Sequence, residues 1–173
     1  KGSIQRGKKP LLINSLKKII DVIDEQINEE IKRLRDRSII LIGFSGGFRR
    51  TEIVSLDYQD LDFVEEGLKI NLRRSKTDQF GEGSVKGIPY FDHSQYCPVV
   101  SMQKWIEISK ISSGALFRRF TKGSKLSENR LTDQTVALLI KEYLKLAGIE
   151  AKNYSGHSLR SGFATSAAES GAE

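Results

Sequence analysis

Apolar residues first fall into step at Leu16, Ile19, Ile20, Ile23 and Ile27. Their spacing of three and four places them on one face of a helix that starts near Asn14. A second helix is predicted from Ile31 to Phe44. Its middle, Ile39-Ile40-Leu41-Ile42, is apolar on every side, which marks a helix buried at the centre of a fold. Ser45-Gly46-Gly47 breaks it. A short helix from Arg49 to Leu56 follows, with Ile53, Val54 and Leu56 turned inward.

The pattern changes at Asp57. Leu68-Lys69-Ile70-Asn71-Leu72 alternates between apolar and polar, and Val85 to Phe91 alternates again, with Pro89 near its end. The segment between, Lys76 to Gly83, is turn-forming, so the simplest account is two antiparallel strands joined by a long basic hairpin. Pro98 suits the first turn of a helix whose apolar face is Val99, Met102, Trp105 and Ile106. Ala115-Leu116-Phe117 reads as a short strand or bend, and Arg118, Arg119, Lys122 and Lys125 as a basic loop. Val136, Leu139, Ile140, Tyr143, Leu144 and Ala147 form a strongly amphipathic helix that Gly148 stops as its C-cap. A last helix is expected to begin near His157. The class is α+β, mainly helical with a small antiparallel sheet.

Composition narrows this only a little. A length of 173 residues suits one domain with a real core, and 38% hydrophobic with 29% charged residues describes a globular protein. No apolar run approaches the roughly 20 residues that span a bilayer, and no signal peptide is visible. A single cysteine, Cys97, allows no internal disulfide, and only two histidines, His93 and His157, make a metal centre unexpected. The formal charge of +6 leans towards a polyanionic partner such as nucleic acid. Residues 1–10, with Lys8 and Lys9, read as a basic linker or as an ordinary charged terminus.

Three short stretches could carry chemistry. His157 and Arg160 share one face at the first turn of the last predicted helix, where free N–H groups favour phosphate. Arg49 follows a Gly-Gly break, a place where an arginine can point into a cleft. Glu52 is spaced to pair with its guanidinium, and Arg50 competes for the same role. Lys76 lies in a turn just after Arg73 and Arg74. Each has a plainer alternative as a solvated surface charge. Asp57, Asp60 and Asp62 lie on a polar loop without metal-ligand spacing, which leaves two-metal nuclease chemistry little support.

In order, the set resembles the tyrosine recombinase (phage integrase) family. The match lies in Gly47-Phe48-Arg49-Arg50-Thr51-Glu52, Ser75-Lys76-Thr77 and His157-Ser158-Leu159-Arg160, with echoes in Leu61-Asp62 and Phe163-Ala164-Thr165. The resemblance runs from about Lys9 to the end and makes Arg49, not Arg50, the first arginine. It implies a catalytic domain over residues 11–173 with a small antiparallel three-stranded sheet, preceded by an interdomain linker over 1–10. It implies Arg49 and Arg160 on the scissile phosphate, Lys76 protonating the departing 5′-oxygen, His157 assisting proton transfer and Glu52 in support. Lys8, Lys9, Arg50, Arg73, Arg74, Arg118, Arg119 and Lys122 are expected on DNA.

In this family a tyrosine downstream of the second arginine attacks the phosphate, after a further His or Trp. No His, Trp or Tyr follows Arg160 here, and the five tyrosines all precede it, so none is nominated. The chain as it stands is therefore expected not to cleave DNA. No metal and no cofactor are expected. Duplex DNA is the implied partner, without a membrane. The whole protein is expected as a tetramer on DNA in the cytoplasm of a bacterium or phage host, with this piece monomeric alone. A type IB topoisomerase and a non-catalytic DNA-binding module remain as alternatives.

Overall fold

The computed structural model describes residues 13–73, 83–91 and 94–150. The helices are α1 (Ile13–Gln26), α2 (Glu30–Gly46), α3 (Arg50–Ser55), α4 (Pro98–Ser109) and α5 (Asp133–Leu146). The strands are β1 (Leu61–Val64), β2 (Gly67–Leu72), β3 (Ser84–Pro89), β4 (Arg118–Phe120) and β5 (Leu126–Arg130).

Helix α2 is the axis of the domain. Ile39, Ile40, Leu41 and Ile42 are all buried, because α1, α4 and α5 pack around it. An all-round apolar stretch has no stable place except inside such a ring. Helix α1 turns Leu16, Ile19, Ile20 and Ile23 towards it, and α4 contributes Val99, Met102 and Trp105. Trp105 donates its indole N–H to the carbonyl of Leu116 at 3.0 Å and stacks near Phe117, with ring centres 6.4 Å apart.

Charges also enter this core. Arg35 and Asp36 are buried side by side on α2, with Nε and Oδ1 2.9 Å apart. The Tyr143 hydroxyl of α5 donates to the other oxygen of Asp36. Arg35 donates to the Arg118 carbonyl at 3.0 Å and lies over the Phe120 ring. Burial pushes the Asp36 carboxyl above its ordinary range even though Arg35 and Tyr143 act against this. Arg37 pairs with Asp24 of α1 and donates to the Gln95 carbonyl. A buried charge is tolerable only when paired and hydrogen-bonded. These pairs tie α2 to α1, α5 and the β4–β5 hairpin.

The three-stranded sheet is antiparallel in the order β1-β2-β3, with Leu61 opposite Ile70 and Ile70 opposite Lys86. Its first strand falls in the segment after Asp57 that reads as a polar loop. Strand β2 alternates as its sequence predicts: Leu68, Ile70 and Leu72 are buried, Lys69 and Asn71 exposed. Strand β3 does not follow its apolar residues. Val85 is 60% exposed, while Lys86 and Ile88 lie opposite Ile70 and Leu68, on the face that packs on α2.

The basic loop predicted around Arg118 is instead a second sheet. Strands β4 and β5 pair antiparallel, Arg118 opposite Arg130 and Phe120 opposite Leu126. Helix α5 ends as predicted near Gly148, whose φ of 75° is left-handed. Gly148 N–H reaches the Lys145 carbonyl and Ile149 N–H the Leu144 carbonyl, which satisfies the last turn. Among the described residues, no helix is long and apolar enough to cross a membrane.

Candidate active site

Helix α2 ends at a turn that sets the direction of Arg49. Gly47 sits at φ 61°, left-handed, so its own N–H returns to Phe44 at 3.3 Å and the Phe48 N–H to Gly43 at 3.1 Å. The Phe48 ring folds back into the core and closes over Gly46. A Cβ built on Gly46 would meet that ring at 2.3 Å, so only glycine fits. Both glycines are thus required, one for its backbone conformation and one for close approach.

Arg49 follows in extended conformation as the N-cap of α3. Glu52 does not grip the Arg49 guanidinium as its spacing suggested. Its carboxylate accepts the Arg49 backbone N–H at 2.8 Å, closing the first turn of α3. Glu52 therefore fixes the backbone and does not itself occupy the guanidinium. Arg49 is half-buried, and among the described residues no carboxylate forms an ion pair with it. A guanidinium that is partly desolvated and unpaired is well suited to an incoming phosphate.

Lys86 of β3 reaches the same turn. Its ammonium donates to the carbonyls of Gly46 at 2.7 Å and Gly47 at 3.3 Å and lies 4.8 Å from the centre of the Phe48 ring.

A second cluster braces the far end of α3. Arg73, at the exit of β2, pairs with Asp57 and Asp60 at 3.0 Å each and donates to the Ser55 carbonyl. Arg130 of β5 pairs with Asp57 and donates to the carbonyls of Val54 and Leu56. Partial burial alone would raise Asp57, but the Arg130 hydrogen bond and the charges of Arg130 and Arg73 hold its carboxyl below the ordinary range.

Of the side chains expected on DNA, Arg73 is engaged by these carboxylates, and Arg118 by the carbonyls of Ala115 and Ser113, each at 2.7 Å. Arg50, Arg119 and Lys122 form no ion pair among the described residues, and Arg119 and Lys122 are exposed. Lys8, Lys9, Arg74, Lys76, His157 and Arg160 lie outside the described residues. Sequence reasoning missed Lys86 and Arg130. The available signal for Lys86 was the strand register, which puts it on the face of Ile70 and Ile88.

Compared with known families, the chain matches the phage integrase family over residues 11–173. It belongs to that family. An integrase/recombinase xerD homolog of Selenomonas ruminantium is 43% identical over 169 residues, covering 98% of this chain and 49% of that relative. The tyrosine recombinase XerA of Pyrococcus horikoshii is 27% identical, over 95% of this chain and 49% of its own length. The chain thus spans about half the length of these curated relatives.

Solved structures agree on the fold. The crystal structure of XerA recombinase superposes with a TM-score of 0.71 at 20% identity, covering all of this chain and 54% of that one. The lambda integrase catalytic core gives 0.63 at 18% identity, covering 94% of this chain and 85% of that one. XerH recombinase bound to difH substrate gives 0.70 at 16%, covering 98% and 46%.

For a phage integrase family member, the tyrosines need accounting. Tyr143 is buried, and burial together with the Asp36 carboxylate raises its hydroxyl well above the ordinary range. The Tyr96 hydroxyl donates to Asp21 at 2.8 Å, which raises it too. Both are structural groups, and an attacking phenolate needs the opposite shift.

Proposed function

We propose that this chain is the catalytic part of a tyrosine recombinase that cuts and rejoins duplex DNA at specific sites. The observation that carries the reading is the Arg49 turn: a half-buried guanidinium with no ion pair among the described residues, on a Glu52-capped helix, in a chain of the phage integrase family.

The chemistry would run as a transesterification. A tyrosine hydroxyl of the whole protein attacks the scissile phosphorus, the P–O5′ bond breaks, and a 3′-phosphotyrosine link forms. Arg49 and Arg160 bind the non-bridging oxygens and stabilise the negative charge of the transition state. Lys76 gives the departing 5′-oxygen its proton, and His157 hydrogen-bonds the phosphate and assists proton transfer. Attack by another strand's 5′-hydroxyl reverses the step. The covalent link conserves the bond energy, so the residues need neither metal nor ATP.

Arg119 and Lys122, exposed, and Arg50, half-buried, form no ion pair among the described residues and would hold the DNA backbone, with Lys8, Lys9 and Arg74 in the same role. Arg73 and Arg118 shape the surface that does so. Residues 1–10 act as the linker from a preceding domain and 11–173 as the catalytic domain. The working assembly is a tetramer on DNA in the cytoplasm. XerH bound to its difH substrate and the lambda integrase bound to DNA share this fold, which supports a DNA partner.

The family match favours recombination over the two alternatives. Strand exchange tests it. The protein expressed from its complete reading frame is incubated with two duplexes carrying its site, one of them labelled. Recombinant products are expected. Relaxation of supercoils without exchange would indicate a topoisomerase, and DNA binding with neither would indicate a binding module.

A further inference from the structure

We infer that Lys86 is a positioning residue for the reaction, acting through the Arg49 turn. The inference rests on the recombinase reading above and concerns a side chain that reading does not use.

The register of β3 is the starting point. Lys86 lies opposite Ile70, between Ser84 and Ile88 on the core-facing side of the strand, where an apolar residue is expected. A lysine placed there must find acceptors. It finds the carbonyls of Gly46 and Gly47, at the end of a 17-residue helix whose last carbonyls carry partial negative charge. Its ammonium also lies over the Phe48 ring, which in turn closes over Gly46.

One ammonium therefore holds three consecutive residues, Gly46, Gly47 and Phe48, and the next residue is Arg49. No other described contact joins the three-stranded sheet to this turn through a charged side chain. Lys86 thereby couples the sheet to the arginine that binds the phosphate. A shift of about 1 Å at such a group can cost on the order of a hundredfold in rate.

Two measurements test this. Amide hydrogen exchange on the 173-residue chain reads the positioning itself. Lys86→Met keeps the aliphatic stem but removes the donors, and should speed exchange at the Phe48 and Arg49 amides by about tenfold. The amides of Leu139 and Ile140 in α5 should not change, and Lys86→Arg should keep most of the protection. Unchanged exchange at Phe48 and Arg49, or an equal rise throughout the chain, overturns the inference.

Single-turnover cleavage of a nicked duplex, by the protein from its complete reading frame, reads the consequence. Lys86→Met should slow covalent adduct formation by about ten- to a hundredfold. The salt dependence of DNA binding should stay the same. In an Arg49→Lys background the same change should cost little more, because both act on one contact. An equal loss in both backgrounds, or a salt slope lowered by about 0.9, assigns Lys86 to general stability or to phosphate and overturns the inference.

If Lys86→Met does not fold, Lys86→Gln carries both measurements. If the unsubstituted protein forms no adduct, the recombinase reading fails, while exchange still decides whether Lys86 sets the turn.

Discussion

Gly47 and Asp57 show how single residues hold the site. At Gly47 the left-handed φ of 61° is disfavoured for any residue with a Cβ by roughly 1–2 kcal/mol. Gly47→Ala should destabilise the chain by about that amount in urea unfolding, with an unchanged denaturant slope. A stability equal to that of the parent would show that the turn relaxes freely and does not constrain Arg49. Asp57 contributes to acid sensitivity. Its folded pKa is lowered, so the unfolded chain binds the proton more tightly. The stabilisation is complete above the unfolded value of about 3.9 and is lost as pH falls through the lower folded value. Arg130→Ala should flatten that part of the stability curve and leave neutral pH less affected than a core deletion would. A curve of unchanged shape below pH 4 would remove Arg130 as the cause.

At the scale of elements, the longer helices were legible from their apolar pattern, and α2, α4 and α5 also from a Gly or Pro at one end. The strongly periodic α1, α4 and α5 and the all-apolar middle of α2 stand where their pattern predicts. Strand β3 was legible as a strand but not in its facing. Val85 points to solvent and Lys86 inward, because register with β2 and acceptors on α2 outweigh the hydrophobic preference of one side chain. The β4–β5 hairpin was hidden because Arg118, Arg119, Lys122 and Lys125 look like loop residues, and its pairing comes from backbone contacts. Arg119 on β4 and Lys122 at the tip are exposed. Replacing both by alanine should lower the salt slope of DNA binding by about 0.9 for each phosphate contact removed. An unchanged slope would place DNA on another face.

Across the whole molecule, α2 joins the buried structure to the candidate site. One end is locked by Arg35, Asp36 and Tyr143, and the other ends in the turn that presents Arg49. The motif could be read from sequence because its residues are contiguous. The supports could not, because Lys86, Arg73 and Arg130 reach the α2–α3 region from distant strands. Glu52 was legible as a partner of Arg49, but its contact is with the backbone and not the guanidinium.

Trapping of a covalent intermediate is the most direct test of the phosphotyrosine chemistry. The protein from its complete reading frame is incubated with a nicked duplex from which the cleaved end is lost, then denatured and resolved by size. A protein–DNA adduct is expected that Arg49→Ala and Arg160→Ala each abolish while DNA binding falls only modestly. Salt-sensitive DNA binding without an adduct, or an adduct of undiminished yield in Arg49→Ala, would contradict it.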